Sequence, residues 1–81
     1  MPIQKPLSKG SRDPYVTTAQ QQLVALGYAL PRFGVDGGLG DETLAAYGAF
    51  MVAQGLRAPS DEHPRSITPA GAAALDAAFQ A

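Results

Sequence analysis

The sequence predicts an all-α fold, a small three-helix bundle with a glycine-rich loop between the first two helices. Three observations predict it. Apolar residues recur at helical spacing in three segments, each segment starts with a capping, proline or acidic signal, and the first two segments stop at a glycine. The chain has 81 residues, which suffices for one domain. We assign that domain to residues 1–81 and expect residues 1–6 to form a flexible N-terminal arm.

The first helix is predicted to run from Pro14 to Leu26. Asp13 precedes it, and an aspartate side chain at this position accepts hydrogen bonds from the first N–H groups of a helix. Proline suits the first helical position because an N–H there would have no partner within the helix. A stripe of apolar residues follows at spacings of three and four: Val16, Ala19, Leu23 and Leu26. Gly27 ends the helix, and the glutamines at positions 20–22 are expected to flank the stripe.

The segment between the first two helices contains Pro31 and four glycines, at positions 34, 37, 38 and 40. So many residues that break helices and strands predict a tightly folded loop without regular structure. We expect Asp36 and Thr43 to brace this loop. Short polar side chains beside glycines commonly bond to nearby backbone, and a threonine in the first turn of a helix can bond back into that turn. A phosphate-binding loop is a weaker interpretation, because no Gly-Lys-Ser or Gly-Lys-Thr sequence follows.

The second helix is predicted from Asp41 to Gln54. Its first two residues are acidic, which is favourable at the positive end of a helix dipole. Nearly all residues from 44 to 53 are apolar or small, so we expect this helix to be the buried central one. The third helix is predicted from Pro69 to Phe79, after a threonine that suits the cap position. The residues expected to be buried in it are Ala74, Leu75 and Ala78.

Composition and charge exclude several functions. Six Lys and Arg stand against seven Asp and Glu, a formal net charge of −1, which argues against the clustered basic surface that binds nucleic acid or an anionic membrane. No apolar run approaches the roughly 18 residues of a membrane span, and no signal peptide is recognisable. We expect no membrane insertion and an export route that this chain does not encode. We also expect a monomer without a cofactor.

No catalytic residue and no metal site is predicted. Asp61, Glu62 and His63 are consecutive in a polar loop, where their side chains cannot easily converge on a zinc ion. A serine nucleophile would need a positioned base, and no Gly-x-Ser-x-Gly turn is present. Carboxylates such as Asp36 and Glu42 could be paired for glycoside cleavage, but so small a helical domain offers little cleft to shield them. A small hydrolase is therefore only a third interpretation.

Several spaced motifs carry a resemblance to a known family. In the first third of the chain they are Leu7, Lys9-Gly10-Ser11-Arg12, Val16, Ala19-Gln20, Leu23 and Leu26-Gly27-Tyr28. The more specific motif is Asp36-Gly37-Gly38-Leu39-Gly40-Asp41-Glu42-Thr43, continued by Ala46, Tyr47, Phe50 and Gly55-Leu56. On these residues the chain resembles the peptidoglycan-binding-like domain that is appended to many bacterial and phage cell-wall hydrolases. The resemblance extends from Leu7 to Leu75.

The resemblance implies a non-catalytic module that binds the glycan and stem peptide of peptidoglycan in a shallow groove beside the glycine loop. Such a module would target an attached or partner cell-wall hydrolase, or a secreted effector, to the sacculus, in the periplasm or facing the cell wall. Aromatic faces pack on sugar rings, and a guanidinium pairs with carboxylates. The residues expected to bind are Tyr28, Arg32, Phe33, Asp36, Gly37, Thr43 and Tyr47.

Most of these residues also have a structural interpretation. Tyr28 can be a contact at the end of the first helix, Phe33 and Tyr47 can be core residues, and Asp36 and Thr43 can be braces of the loop. A protein–protein interaction domain that kept the scaffold and lost glycan binding is the alternative function. The chain departs from the family pattern in ways that favour it, because Met51 replaces the usual glutamine and no second Asp-Gly turn opens the third helix.

Overall fold

A computed structural model describes residues 3–56 and 65–80 of the chain. Within those residues, three helices and one two-stranded sheet form a helical bundle, as predicted. The elements in chain order are β1 (Leu7–Ser8), α1 (Pro14–Ala25), α2 (Asp41–Ala53), β2 (Ser66–Ile67) and α3 (Pro69–Gln80). In the described ranges, no helix has the length and apolar character needed to cross a lipid bilayer.

The boundaries of α1 follow from the residues that flank it. The Asp13 carboxylate accepts a hydrogen bond of 2.9 Å from the Tyr15 N–H, and Pro14 takes the first helical position. Gly27 adopts a positive φ of 96°, which lets the Tyr28 N–H donate to the Leu23 carbonyl at 2.8 Å. The helix therefore ends where the glycine predicts. All three helices lie within one residue of their predicted ends.

The short sheet was not predicted. β1 and β2 pair antiparallel, with Leu7 opposite Ile67 and Ser8 opposite Ser66. Strands of two residues are too short to show the alternation of polar and apolar residues by which a strand is recognised. The N-terminal segment also differs from the expected arm, because Ile3 is buried and packs in the hydrophobic core. The flexibility of the other residues in the arm stays a prediction.

The core lies where α1 packs against both α3 and α2. α1 rather than α2 is thus the helix that contacts both others, which corrects the expectation drawn from the apolar composition of α2. Leu23 and Leu75 are fully buried, and complete burial of such a side chain contributes roughly 1.5–3 kcal/mol. In α3, Leu75 is buried as predicted, whereas Ala74 and Ala78 are only partly buried against the core.

Tyr47 belongs to this core. Its side chain is 2% exposed, and its hydroxyl lies against the backbone of Gly71 in α3. A Cβ at Gly71 would overlap the hydroxyl and approach the Tyr47 Cζ to 2.8 Å, so only glycine allows this packing. The sequence prediction that Tyr47 is a binding residue is therefore wrong, and the core interpretation of Tyr47 is correct.

Candidate functional site

The glycine loop is organised around the side chain of Gln20, which is fully buried. Its Nε2 lies 3.0 Å from Asp36 Oδ1, 3.1 Å from the Gly38 carbonyl and 2.9 Å from Thr43 Oγ1. Its Oε1 accepts a hydrogen bond of 2.9 Å from the Gly37 N–H. Buried polar groups need such partners to offset the loss of water. One amide thereby joins α1, the glycine loop and the first turn of α2.

Asp36 completes this network. Its Oδ1 also accepts from the Gly38 N–H at 3.0 Å, and Arg12 donates to the Asp36 carbonyl at 3.3 Å. The Gly38 N–H and the Gln20 amide stabilise the carboxylate form and hold the pKa of Asp36 below its usual value of 3.8, with Arg12 adding to the effect. Asp36 is therefore a brace, as predicted. Thr43 is a brace of another kind, because it contacts Gln20 rather than its own helical turn.

Glu42 holds the turn that precedes Asp36. Its two carboxylate oxygens accept from the Arg32 N–H at 2.7 Å and the Phe33 N–H at 2.9 Å. The Gly34 N–H donates to the Leu30 carbonyl at 3.0 Å and closes the turn. Partial burial would raise the pKa of Glu42, but the N–H groups of Phe33 and Arg32 outweigh it and lower that pKa. Glu42 thereby sets the position of Phe33.

Phe33 is 64% exposed, so the interpretation of Phe33 as a core residue is wrong. Two hollows adjoin it, and we call them together the loop groove. The first compartment has a volume of about 520 Å³ and is lined by Arg32, Phe33, Asp36, Gly38, Gly40, Asp41, Glu42 and Thr43. The second compartment has a volume of about 260 Å³ and is lined by Gly10, Arg12, Phe33, Asp36, Gly38, Leu39 and Gly40. The ring of Phe33 lines both.

The guanidinium of Arg32 accompanies the Phe33 ring. Its central carbon lies 5.4 Å from the centre of the ring, a cation–π contact. This contact leaves the guanidinium N–H groups without an acceptor among residues 3–56 and 65–80. The first compartment therefore combines an exposed aromatic ring with a cation, and both are held on a turn that Glu42 fixes.

The structure brings together four of the predicted site residues: Arg32, Phe33, Asp36 and Thr43 all line the first compartment. Gly37 lies in the Gln20 network, where its φ of 80° favours glycine. Tyr28 does not line the loop groove. It lines a separate apolar hollow of about 470 Å³ beside α2, and its ring meets the Phe50 ring edge-on at a centroid distance of 6.0 Å. That position agrees with its interpretation as a contact at the end of α1.

Three residues were missed as parts of the site: Arg12, Gln20 and Glu42. A signal for Gln20 was present, because it follows Val16 by four residues and precedes Leu23 by three, which places it on the buried stripe of α1. Glu42 was interpreted only as a favourable charge at a helix start, and Arg12 as part of a solvated segment. Nothing local in the sequence shows that the Glu42 side chain reaches back to positions 32 and 33.

The structure offers no cluster of three or more histidine and acidic residues for a metal ion within its described ranges. Asp61, Glu62 and His63, the residues considered for zinc, lie outside the described residues. The polar loop that contains them spans positions 57–64, and the alternatives drawn from that loop stay predictions.

Comparison with known proteins connects the chain to a cell-wall hydrolase. It is 39% identical over 72 residues to a probable N-acetylmuramoyl-L-alanine amidase of Bacillus licheniformis, across 83% of this chain and 20% of the relative. The chain thus spans about a fifth of the length of the curated relative it matches. No family model and no solved structure matches the chain. So small a share of an amidase is compatible with a module that is not catalytic.

Proposed function

We propose that this chain is a non-catalytic module that binds peptidoglycan and brings a cell-wall hydrolase or secreted effector, attached to it or partnered with it, to the sacculus. The observation that carries the proposal is the loop groove, in which Phe33 and Arg32 are presented on a fixed turn. The similarity to a minor region of an amidase supports it. We further propose that the module acts as a monomer, in the periplasm or facing the cell wall.

The exposure of Phe33 is unusual for a chain with only three phenylalanines. Leaving most of a large ring in water forfeits stabilisation, since burying a phenylalanine side chain is worth roughly 1.5–3 kcal/mol. The turn nevertheless holds the ring outward, through the two hydrogen bonds to Glu42. An aromatic ring presented beside a guanidinium suits a ligand that has both apolar sugar faces and carboxylates, which is the composition of peptidoglycan.

The groove is open and small, so one module would bind weakly. Weak binding suffices for a targeting module, because tethering a catalyst beside its substrate raises the effective concentration of one for the other. In a protein of the length of the amidase relative, four fifths of the chain would remain for such a catalyst.

A hydrolase that uses the carboxylates of the loop groove is disfavoured. A general acid needs a raised pKa to hold a proton near neutral pH. Asp36 and Glu42 have lowered pKa values because backbone N–H groups and the Gln20 amide stabilise their charged forms. Asp41, the third carboxylate at the groove, pairs with Lys9 at 2.9 Å and is highly exposed. All three carboxylates therefore act in structure rather than in proton transfer.

One observation favours the alternative function, a protein–protein interaction domain. The separate hollow beside α2 is lined mainly by apolar or small residues, among them Tyr28, Pro31, Ala45 and Ala49. Apolar patches on a small domain are common sites of protein contact. This surface lies outside the groove that we assign to peptidoglycan, so variants can separate the two functions.

Cosedimentation with purified sacculi tests the proposal. We expect the parent chain to sediment with sacculi and Phe33→Ala to bind about three- to tenfold more weakly, the effect of losing one aromatic contact. Phe79→Ala is the matched control, because Phe79 is a half-exposed phenylalanine on α3 away from the groove. Circular dichroism checks that each variant folds.

The outcomes separate the candidate functions. If the parent chain stays in solution at every sacculus concentration, peptidoglycan binding is refuted and the interaction domain becomes the better interpretation. If soluble muropeptides are released from the sacculi, the module is an enzyme. If the two phenylalanine variants lose binding equally, the loop groove is not the binding site.

A further inference from the structure

We propose that the second compartment of the loop groove, beside Arg12, binds a carboxylate of the peptidoglycan stem peptide while Phe33 contacts the glycan. This inference rests on the proposed function and deepens it, because it assigns the peptide part of the ligand to one residue. The argument has three steps: which charges at the groove are already satisfied, which charge is left, and what holds that charge in place.

The acidic groups at the groove are satisfied within the protein. Asp36 accepts from a backbone N–H and from Gln20, and Glu42 accepts from two backbone N–H groups. Asp41 pairs with Lys9. A carboxylate whose lone pairs are occupied by donors attracts a cationic ligand less than a free one does. The charge that the groove can offer to a ligand is therefore mainly positive.

Arg12 supplies that charge in the second compartment. A guanidinium has five N–H donors. Among residues 3–56 and 65–80, Arg12 makes no ion pair within 4.0 Å, and its hydrogen bond is the contact of 3.3 Å to the Asp36 carbonyl. Most of its donors are thus available to a ligand, and the paired geometry of a guanidinium matches the two oxygens of a carboxylate.

Gly38 positions the Arg12 guanidinium. A Cβ at Gly38 would lie 2.9 Å from the Arg12 Nη1 and 3.8 Å from its Cζ, so a side chain there would displace the guanidinium. The backbone of Gly38 does not have a positive φ, in contrast to that of Gly37. Glycine at position 38 is therefore explained by the space that Arg12 occupies and not by the conformation of the chain.

The two compartments share the ring of Phe33, so a ligand on that ring is adjacent to Arg12. In peptidoglycan, the stem peptide branches from the sugar chain, and its carboxylates lie within a few bonds of the glycan. One ligand can therefore place a sugar on Phe33 and a carboxylate on Arg12 at the same time.

Titration with defined fragments tests the inference. The probe is a disaccharide–peptide fragment of peptidoglycan with free peptide carboxylates, compared with the same fragment after those carboxylates are converted to amides. We expect the parent chain to bind the free form about tenfold more tightly, the usual effect of a hydrogen bond to a charged group. Chemical shift changes in NMR spectra of the chain measure both affinities and show which residues respond.

Four variants locate the effect. Arg12→Gln is expected to bind the two fragments equally, and Arg12→Lys to keep part of the preference because it keeps the charge. Gly38→Ala is expected to reduce the preference by displacing the guanidinium without removing it. Arg65→Gln is the matched control, because Arg65 is exposed and does not line either compartment.

The results distinguish this inference from the proposed function. Equal binding of both fragments by the parent chain overturns the role of Arg12 and needs no variant, while cosedimentation with sacculi would still support peptidoglycan binding. A preference that survives in Arg12→Gln overturns it too. If the parent chain binds neither fragment and no sacculi, the proposed function fails, and this inference fails with it.

Discussion

The α1–α3 core and the loop groove differ in how their order is maintained. In the core, Leu23 and Leu75 are held by apolar packing that many neighbours share. In the groove, one buried amide on Gln20 contacts four polar groups from three segments of the chain. A shared contact set loses stability in proportion to what is removed, whereas a polar network loses its organisation when its centre is removed. The predictions below test this difference.

The largest effect is expected in the core. Leu75→Ala removes a fully buried side chain and leaves a cavity, which costs about 2–5 kcal/mol in the free energy of unfolding. Urea unfolding followed by circular dichroism measures the loss. The folded fraction should bind sacculi as well as the parent chain does. A loss below 1 kcal/mol would show that the core repacks around the deletion.

Gln20→Ala is expected to cost about 1–3 kcal/mol, because it leaves the Gly37 N–H and other polar partners without their bonds. In contrast to Leu75→Ala, it should also weaken sacculus binding of the folded protein, since the groove loses its fixed shape. Gln21→Ala, at an exposed neighbouring position, is the control and should change stability by less than about 0.5 kcal/mol. Equal effects of both glutamine variants would contradict the network.

Gly37→Ala is expected to cost about 1–2 kcal/mol, because the φ of 80° at this position is strained for a residue with a Cβ. Gly38→Ala should cost less, since its backbone has no positive φ and the atom it meets is the end of a flexible arginine. Comparison of the two unfolding midpoints checks the order. A larger loss in Gly38→Ala would mean that backbone conformation does not govern this loop.

Acid should weaken the loop before it weakens the core. The pKa values of Asp36 and Glu42 are lower in the folded chain than their usual values of 3.8 and 4.5, so the unfolded chain binds more protons as pH falls. Their stabilisation is present at neutral pH, begins to decline near pH 4.5 and is lost as pH falls through the lowered values.

Unfolding midpoints measured between pH 7 and pH 2 check this dependence. Asp36→Asn and Glu42→Gln should each show a shallower decline with acid than the parent chain. Asp41→Asn, which removes an exposed ion pair, should retain the parent slope. A parent-like slope in both loop variants would show that these carboxylates gain nothing from their backbone donors.

Most of the fold was predictable because its signals are local. Asp13 and Pro14 start α1, and Gly27 and Gly55 end two helices through positive φ angles that glycine adopts readily. The β1–β2 pair was not predictable, because it joins two dipeptides about sixty residues apart. The central position of α1 was also missed, since composition alone made α2 the more apolar helix.

The site was predictable in its location but only partly in its members. The glycines and Asp36 marked the loop, and Arg32 and Phe33 were recognised as candidates beside it. Tyr47 and Phe33 have the same polarity class and similar size, yet the first is buried and the second exposed. Nothing in the local pattern separates them, because the space for Tyr47 comes from Gly71 on another helix.

The amino-acid order alone sets where the helices start and stop and which loop is rich in turns, because caps, prolines and glycines act on their immediate neighbours. Only the folded arrangement decides that Gln20 becomes the centre of the loop, that Glu42 holds the turn of Phe33, and that Arg12 lies beside Gly38. Each of those contacts joins residues at least nine positions apart. Their formation depends on how the helices pack, and packing is a property of the whole chain.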